Sequence, residues 1–176
     1  MVAFVGDSVT ARWHLPCDFV NLGIDGQASG LILPRFDRDV LSLRPNIVAL
    51  LAGTNDLLTV SQPTVDAIAR MTDLAQQSGA CVILGTVPPM KPQSFNGSLT
   101  GIASQAELDQ RLATFNAEIL SLARSRGVLL ADYHGAMTTE AGGLRAGFFS
   151  RDGVHPSRRG HQAMFSVVSP LLQRCP

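Results

Sequence analysis

The chain has 176 residues, 45% of them apolar, which is enough for one domain over residues 1–176 to bury a core without staples. Lys+Arg and Asp+Glu both number 14, so the formal charge is zero, and no basic cluster points to nucleic acid or an anionic membrane surface. No run approaches the roughly 18 consecutive apolar residues of a membrane span.

Residues 2–5 (Val-Ala-Phe-Val) read as a first strand, which ends at Gly6-Asp7-Ser8 before a helix-like pattern begins. A second, short strand is expected over 18–22. The continuous apolar run 47–52 reads as a strand covered on both faces. Residues 81–85 and 128–131 are the fourth and fifth strands. Helical periodicity fills 31–43, 65–77, 106–126 and 159–172, with Gly79 and Gly127 placed as C-cap glycines. Pro34 and Pro170 fall inside two of these patterns, where a kink or restart is expected. Alternating strands and helices with few hairpin signals predict an α/β fold with a doubly wound parallel sheet between helix layers.

Two stretches fit no regular element. Residues 88–105 hold prolines, glycines and small polar residues, as a long loop or active-site wall does. Residues 134–156 are glycine-rich and lead into the last helix. Cys17, Cys81 and Cys175 are odd in number and scattered, which reads as reduced packing thiols, with neither a disulfide frame nor a zinc site. With no charged n-region or h-region at the start, the expectation is a cytoplasmic protein, or a secreted one from which a leader was removed.

Candidate chemistry gathers at the predicted C-terminal strand ends, where open α/β sheets bind ligands. Ser8 follows the first strand. It reads either as an N-cap or as a nucleophile whose own N–H helps hold an oxyanion. Gly23 follows the second strand, as a turn glycine or as a donor that approaches a ligand closely. Asn55, in Gly53-Thr54-Asn55-Asp56, carries an uncharged amide donor, or caps a turn. His155 in Asp152-Gly153-Val154-His155-Pro156 is a candidate base, because an ordinary imidazole is largely neutral at pH 7. Asp152, three residues earlier, can orient it; the alternative is an exposed Asp-Gly turn. Asp7 and Asp56 read as structural, His161 as solvated, and His134 as structural. No cluster has metal-ligand spacing, G-x-G-x-x-G is absent, and no cofactor is expected.

Gly6-Asp7-Ser8, Gly23, Gly53-Thr54-Asn55-Asp56 and Asp152-Gly153-Val154-His155-Pro156 together resemble the four blocks of the SGNH, or GDSL-type, hydrolases, in that family's order. Val9 departs from the usual Leu or Ile after the serine. Gly85-Thr86-Val87-Pro88-Pro89 is similar to a segment of the small bacterial lysophospholipase and arylesterase-type esterases. The resemblance implies a three-layer α/β/α, flavodoxin-like fold. It implies Ser8, Asp152 and His155 as a catalytic triad, and Ser8 N–H, Gly23 N–H and the Asn55 side chain as the oxyanion hole.

The implied activity is hydrolysis of small-molecule carboxylic esters, short-acyl or lysophospholipid-like, through an acyl-enzyme. Leu57, Leu58, Pro88, Pro89, Met90, Phe148 and Phe149 are expected either to form an apolar wall for the acyl chain or to pack the loops. Trp13 serves the wall or the core. A carbohydrate O-deacetylase of the same fold is the second reading. A catalytically idle domain that binds a ligand or partner is the third.

Overall fold

A computed structural model describes residues 1–59, 64–92 and 102–175. Five strands form one parallel sheet: β1 (Val2–Gly6), β2 (Phe19–Gly23), β3 (Ile47–Leu51), β4 (Cys81–Gly85) and β5 (Leu129–Ala131). Their order is β2-β1-β3-β4-β5. That is the flavodoxin-like order, which places its switch point between β1 and β3. Gly6 is in register with both Gly23 and Leu51, so the segments after β1, β2 and β3 leave the sheet at one edge.

The helices are α1 (Ser8–Ala11), α2 (Ser29–Asp39), α3 (Thr54–Thr59), α4 (Asp66–Gln77), α5 (Gln105–Arg126), α6 (Tyr133–Met137) and α7 (Arg158–Leu172). Successive side chains of a strand point to opposite faces, and the core divides accordingly. Ala3, Val5, Val48, Leu50, Val82 and Leu84 pack against α2, α4 and α5. Phe4, Ala49, Leu51 and Ile83 pack against Trp13, α6 and α7 on the other face. The result is the expected three-layer arrangement.

The elements differ locally from those expected. The helical pattern over 31–43 ends as an α-helix at Asp39 and continues as a 3-10 turn at Leu41–Leu43, which the left-handed conformation of Arg44 brings to a stop. α2 and α7 run through Pro34 and Pro170 without ending there. Short α3 and α6 were not legible, since neither is long enough to show a helical period. Of the expected 88–105 loop, residues 93–101 lie outside the described residues.

The cysteines correct the sequence reading. Cys81 and Cys175 are disulfide-bonded, and only Cys17 is free. α7 crosses the sheet and delivers Cys175 to the start of β4, with the two Cα atoms 5.7 Å apart. A separation of 94 residues in the chain hides that proximity.

Candidate active site

The β1–α1 turn is built around Asp7. Its side chain accepts from Val9 N–H at 2.9 Å and caps α1, so the N-cap is Asp7 and Ser8 is the first helical residue. The hydroxyl of Ser8 is thereby released from capping. The other oxygen of Asp7 accepts from Thr54 N–H at 3.2 Å, which ties the β1 turn to the start of α3. Burial pushes the Asp7 carboxyl up to about 6, against the lowering effect of the hydrogen bonds from Val9 and Thr54.

Asp56 does the same for α2. It accepts from Ser29 N–H at 2.8 Å and from Ser29 Oγ at 2.5 Å. The structural reading of both aspartates agrees with this arrangement.

His155 is carried by a self-bonded loop before α7. Asp152 Oδ1 accepts from the backbone N–H groups of Val154 and His155, each at 2.9 Å. Both Ser150 N–H and Ser150 Oγ donate to the His155 carbonyl. Gly153 sits at φ +71° with its backbone against Lys91, whose N–H donates to the Gly153 carbonyl at 2.7 Å. A side chain at 153 would collide with the Lys91 carbonyl.

Within this frame Asp152 Oδ2 lies 2.7 Å from His155 Nδ1, and His155 Nε2 lies 2.8 Å from Ser8 Oγ. Burial tends to raise the Asp152 pKa, but hydrogen bonds from His155 and Val154 outweigh it and hold the carboxyl below its ordinary value. Nδ1–H then donates to the carboxylate, and Nε2 is left to accept from the serine hydroxyl. A hydroxyl, an imidazole and a carboxylate in that order can deliver an activated oxygen nucleophile.

The oxyanion candidates lie at the same edge, with their own partners. Asn55 Nδ2 donates to the Gln27 carbonyl at 3.1 Å, and the amide keeps a second hydrogen. Gly23 N–H donates to Asn21 Oδ1 at 3.0 Å. Asn21 in turn donates to the carbonyls of Thr10 and Trp13. The reason for glycine at 23 also differs from the one expected. A Cβ there would lie 2.2 Å from Ala11 N, so it is the close approach of α1 that demands glycine.

Among the described residues, the placement of the apolar candidates agrees with the loop-packing reading more than with an acyl-chain wall. Leu57 and Met90 are buried in the core, and Leu58 is 9% exposed and packed there too. Pro88 and Pro89 are buried. Phe148 and Phe149 are half-buried against the α7 side of the core, with the guanidinium groups of Arg145 and Arg159 over the Phe148 ring. Trp13 is a core residue.

His161 is buried, contrary to the solvated placement expected. It stacks on Trp13, and its Nε2 lies 3.1 Å from the Val9 carbonyl. A cavity of about 760 Å³ opens beside this pair, between Arg12, Pro16, Arg158 and Phe165, and none of Ser8, Gly23, Asn55, Asp152 or His155 lines it. Among the described residues no group of His, Cys, Asp or Glu is placed to hold a metal ion. No described helix is long and apolar enough to cross a membrane.

Residues 4–163 match the model of the GDSL-like lipase/acylhydrolase family. The chain belongs to this family. This GDSL-like hydrolase is an ester-hydrolysing enzyme. It is similar in structure to a GDSL-like lipase from Bacteroides thetaiotaomicron, with 26% identity and a TM-score of 0.85 over 99% of this chain and 88% of that one. A putative acylhydrolase from Bacteroides fragilis is similar at 27% identity and a TM-score of 0.83, over 98% and 86% of the two chains. An acetyl xylan esterase from Geobacillus stearothermophilus shares the fold at 16% identity and a TM-score of 0.73, over 96% and 92%. No protein with a curated description matches the GDSL-like hydrolase.

Proposed function

We propose that this GDSL-like hydrolase is a serine esterase for small carboxylic esters, with Ser8 as nucleophile, His155 as general base and acid, and Asp152 as the group that orients His155. The observation that carries this reading is the unbroken chain from Ser8 Oγ through both ring nitrogens of His155 to Asp152. Ser8 Oγ attacks the ester carbonyl as its proton moves to Nε2. The carbonyl electron pair becomes an oxyanion held by Ser8 N–H, the Asn55 amide and Gly23 N–H, the last turning or sharing its hydrogen away from Asn21 Oδ1. Nε2–H protonates the departing alcohol, leaving an acyl-Ser8. Water, deprotonated by Nε2, then repeats the addition and releases the acid and Ser8.

The burial of Leu57 and Met90 removes much of the expected acyl-chain wall, which supports short-acyl esters over lysophospholipid-like ones. The same observation favours one second reading, a carbohydrate O-deacetylase, because an acetyl group needs no long groove. The Cys81–Cys175 bridge supports an oxidising working compartment in place of the cytoplasm first expected.

A fluorophosphonate probe tests the chemistry. Stoichiometric labelling is expected in the wild type and none in Ser8→Ala, with unchanged far-UV circular dichroism. A folded wild-type protein that takes no label and cleaves no p-nitrophenyl ester would favour the idle ligand-binding domain. A panel of p-nitrophenyl esters from acetyl to decanoyl, run beside acetylated sugars, separates the two esterase readings.

A further inference from the structure

Arg35 is a charged residue on the buried stripe of α2, between Ile32 and Phe36, and its side chain is only 8% exposed. Taking a guanidinium out of water is costly unless its donors find partners. Its Nε donates to Gln27 Oε1 at 2.7 Å, and one terminal nitrogen donates to the Leu22 carbonyl at 2.9 Å. The other terminal nitrogen stands 3.7 Å from Asp39 Oδ2.

Both neutral partners lead to the oxyanion site. The Leu22 carbonyl and the Gly23 N–H belong to one peptide unit, which is planar, so a bond to the oxygen fixes the direction of the N–H. It also polarises that peptide toward stronger donation. The second partner, Gln27, offers its backbone carbonyl to Asn55 Nδ2 at 3.1 Å. One forked side chain therefore braces the peptide of the Gly23 donor and the loop that aligns the Asn55 donor.

We propose that Arg35 is a positioning residue for the oxyanion site, one guanidinium holding two of its three donors in place. The proposal rests on the serine-esterase reading above. It asks for the planar fork of arginine, since the three N–H donors of a lysine radiate from one nitrogen and do not reproduce the two separated, rigidly aimed donors that serve Gln27 Oε1 and the Leu22 carbonyl.

The test is a double-mutant cycle between Arg35→Lys and Asn55→Ala, read as kcat and KM on p-nitrophenyl acetate. Asn55→Ala alone is expected to lower kcat on the order of a hundredfold. Arg35→Lys is expected to lower kcat by roughly tenfold to a hundredfold, with KM within about threefold and the shape of the pH–rate profile unchanged, because the triad is untouched. In the Asn55→Ala background the further loss from Arg35→Lys should shrink by about threefold or more, since one of its two routes is gone.

A folded Arg35→Lys enzyme with wild-type kcat, alongside an Asn55→Ala variant that is impaired, overturns the proposal alone. So does an Arg35→Lys loss of equal size in both backgrounds. An Asn55→Ala variant with wild-type kcat sinks the oxyanion reading and this proposal with it. If Arg35→Lys does not fold, Gln27→Ala replaces it. Gln27→Ala removes one arm of the fork and is expected to lower kcat several-fold at constant KM, and an unchanged kcat overturns the proposal.

Discussion

His155 Nε2 lies 2.8 Å from Ser8 Oγ, although 147 positions separate the two residues in the chain. That contact depends on which nitrogen of the ring carries the proton, and in the proposed mechanism Asp152, 2.7 Å from Nδ1, sets it. Asp152→Asn keeps an oxygen for the N–H groups of Val154 and His155, so the loop survives. Its amide N–H₂ would face Nδ1, favouring the tautomer with hydrogen on Nε2, which cannot accept from Ser8. The expected loss in kcat is about a thousandfold to ten-thousandfold, by analogy with serine proteases. The check is p-nitrophenyl acetate turnover with near-UV circular dichroism as a fold control. Activity within tenfold of wild type would remove Asp152 from this role.

Asp7 predicts how stability responds to pH. Its carboxyl titrates near 6 when folded, against an ordinary value of 3.8, because burial disfavours the charge. A group that holds its proton more tightly when folded contributes stability that is full below about 3.8 and lost as pH rises through about 6. The contribution at stake is on the order of 3 kcal/mol. Asp7→Asn removes the titration and leaves a constant penalty for the second backbone N–H it serves poorly. The difference in Tm between Asp7→Asn and wild type should therefore shift in favour of the variant from pH 4.5 to pH 7. A pH-independent difference would show that Asp7 does not titrate in this window.

Much of this was legible in the sequence, for reasons that differ by residue. The strands were readable because Ala3 and Val5 face one helix layer and Phe4 the other, so both sides of the sheet demand apolar residues. Asp152 and His155 were readable because the loop that joins them is local. The packing constraint on Gly23 was not legible, since sequence cannot show that Ala11 lies against it. Arg35 and Asn21 were missed, and His161 was read as solvated, because each donates to a backbone carbonyl distant in the chain, which leaves no residue-type signal. A cation on the apolar stripe of α2 was the one available hint at Arg35. The choice between wall and packing for Leu57 was not legible, because a six-residue helix shows too little period to reveal that α3 turns it inward.

The Cys81–Cys175 bridge predicts a redox-dependent stability. It closes a loop of 94 residues in the unfolded chain, and the chain-entropy estimate for such a loop is about 4–5 kcal/mol. For a domain of this size that corresponds to a fall in Tm of roughly 10 °C. Cys81→Ser with Cys175→Ser should show the fall without reductant, and wild type should show it only in dithiothreitol. Turnover at 25 °C should persist, because the bridge lies at the start of β4 and Ser8 follows the end of β1. A wild-type Tm unmoved by full reduction, confirmed by thiol titration, would show that the bridge adds nothing.

Gly160 tests whether α7 positions the His155 loop. Alanine normally stabilises a helix interior by about 0.5–1 kcal/mol relative to glycine. At Gly160, however, a Cβ would lie 2.1 Å from the Phe148 carbonyl and 2.9 Å from Met137 Cε. Met137 can yield, but the Phe148 carbonyl is backbone, and it already accepts from Ser157 N–H at 2.8 Å. The strand-like bridge between Phe149 and Pro156 passes any displacement toward His155. Gly160→Ala should therefore destabilise the protein by about 1–3 kcal/mol, against the helix-propensity trend. It should also lower kcat several-fold, as the Ser8–His155 contact lengthens. Urea denaturation and p-nitrophenyl acetate kinetics check the two effects separately. A Gly160→Ala enzyme that is more stable and equally active would show that the 148–157 loop adapts without moving His155.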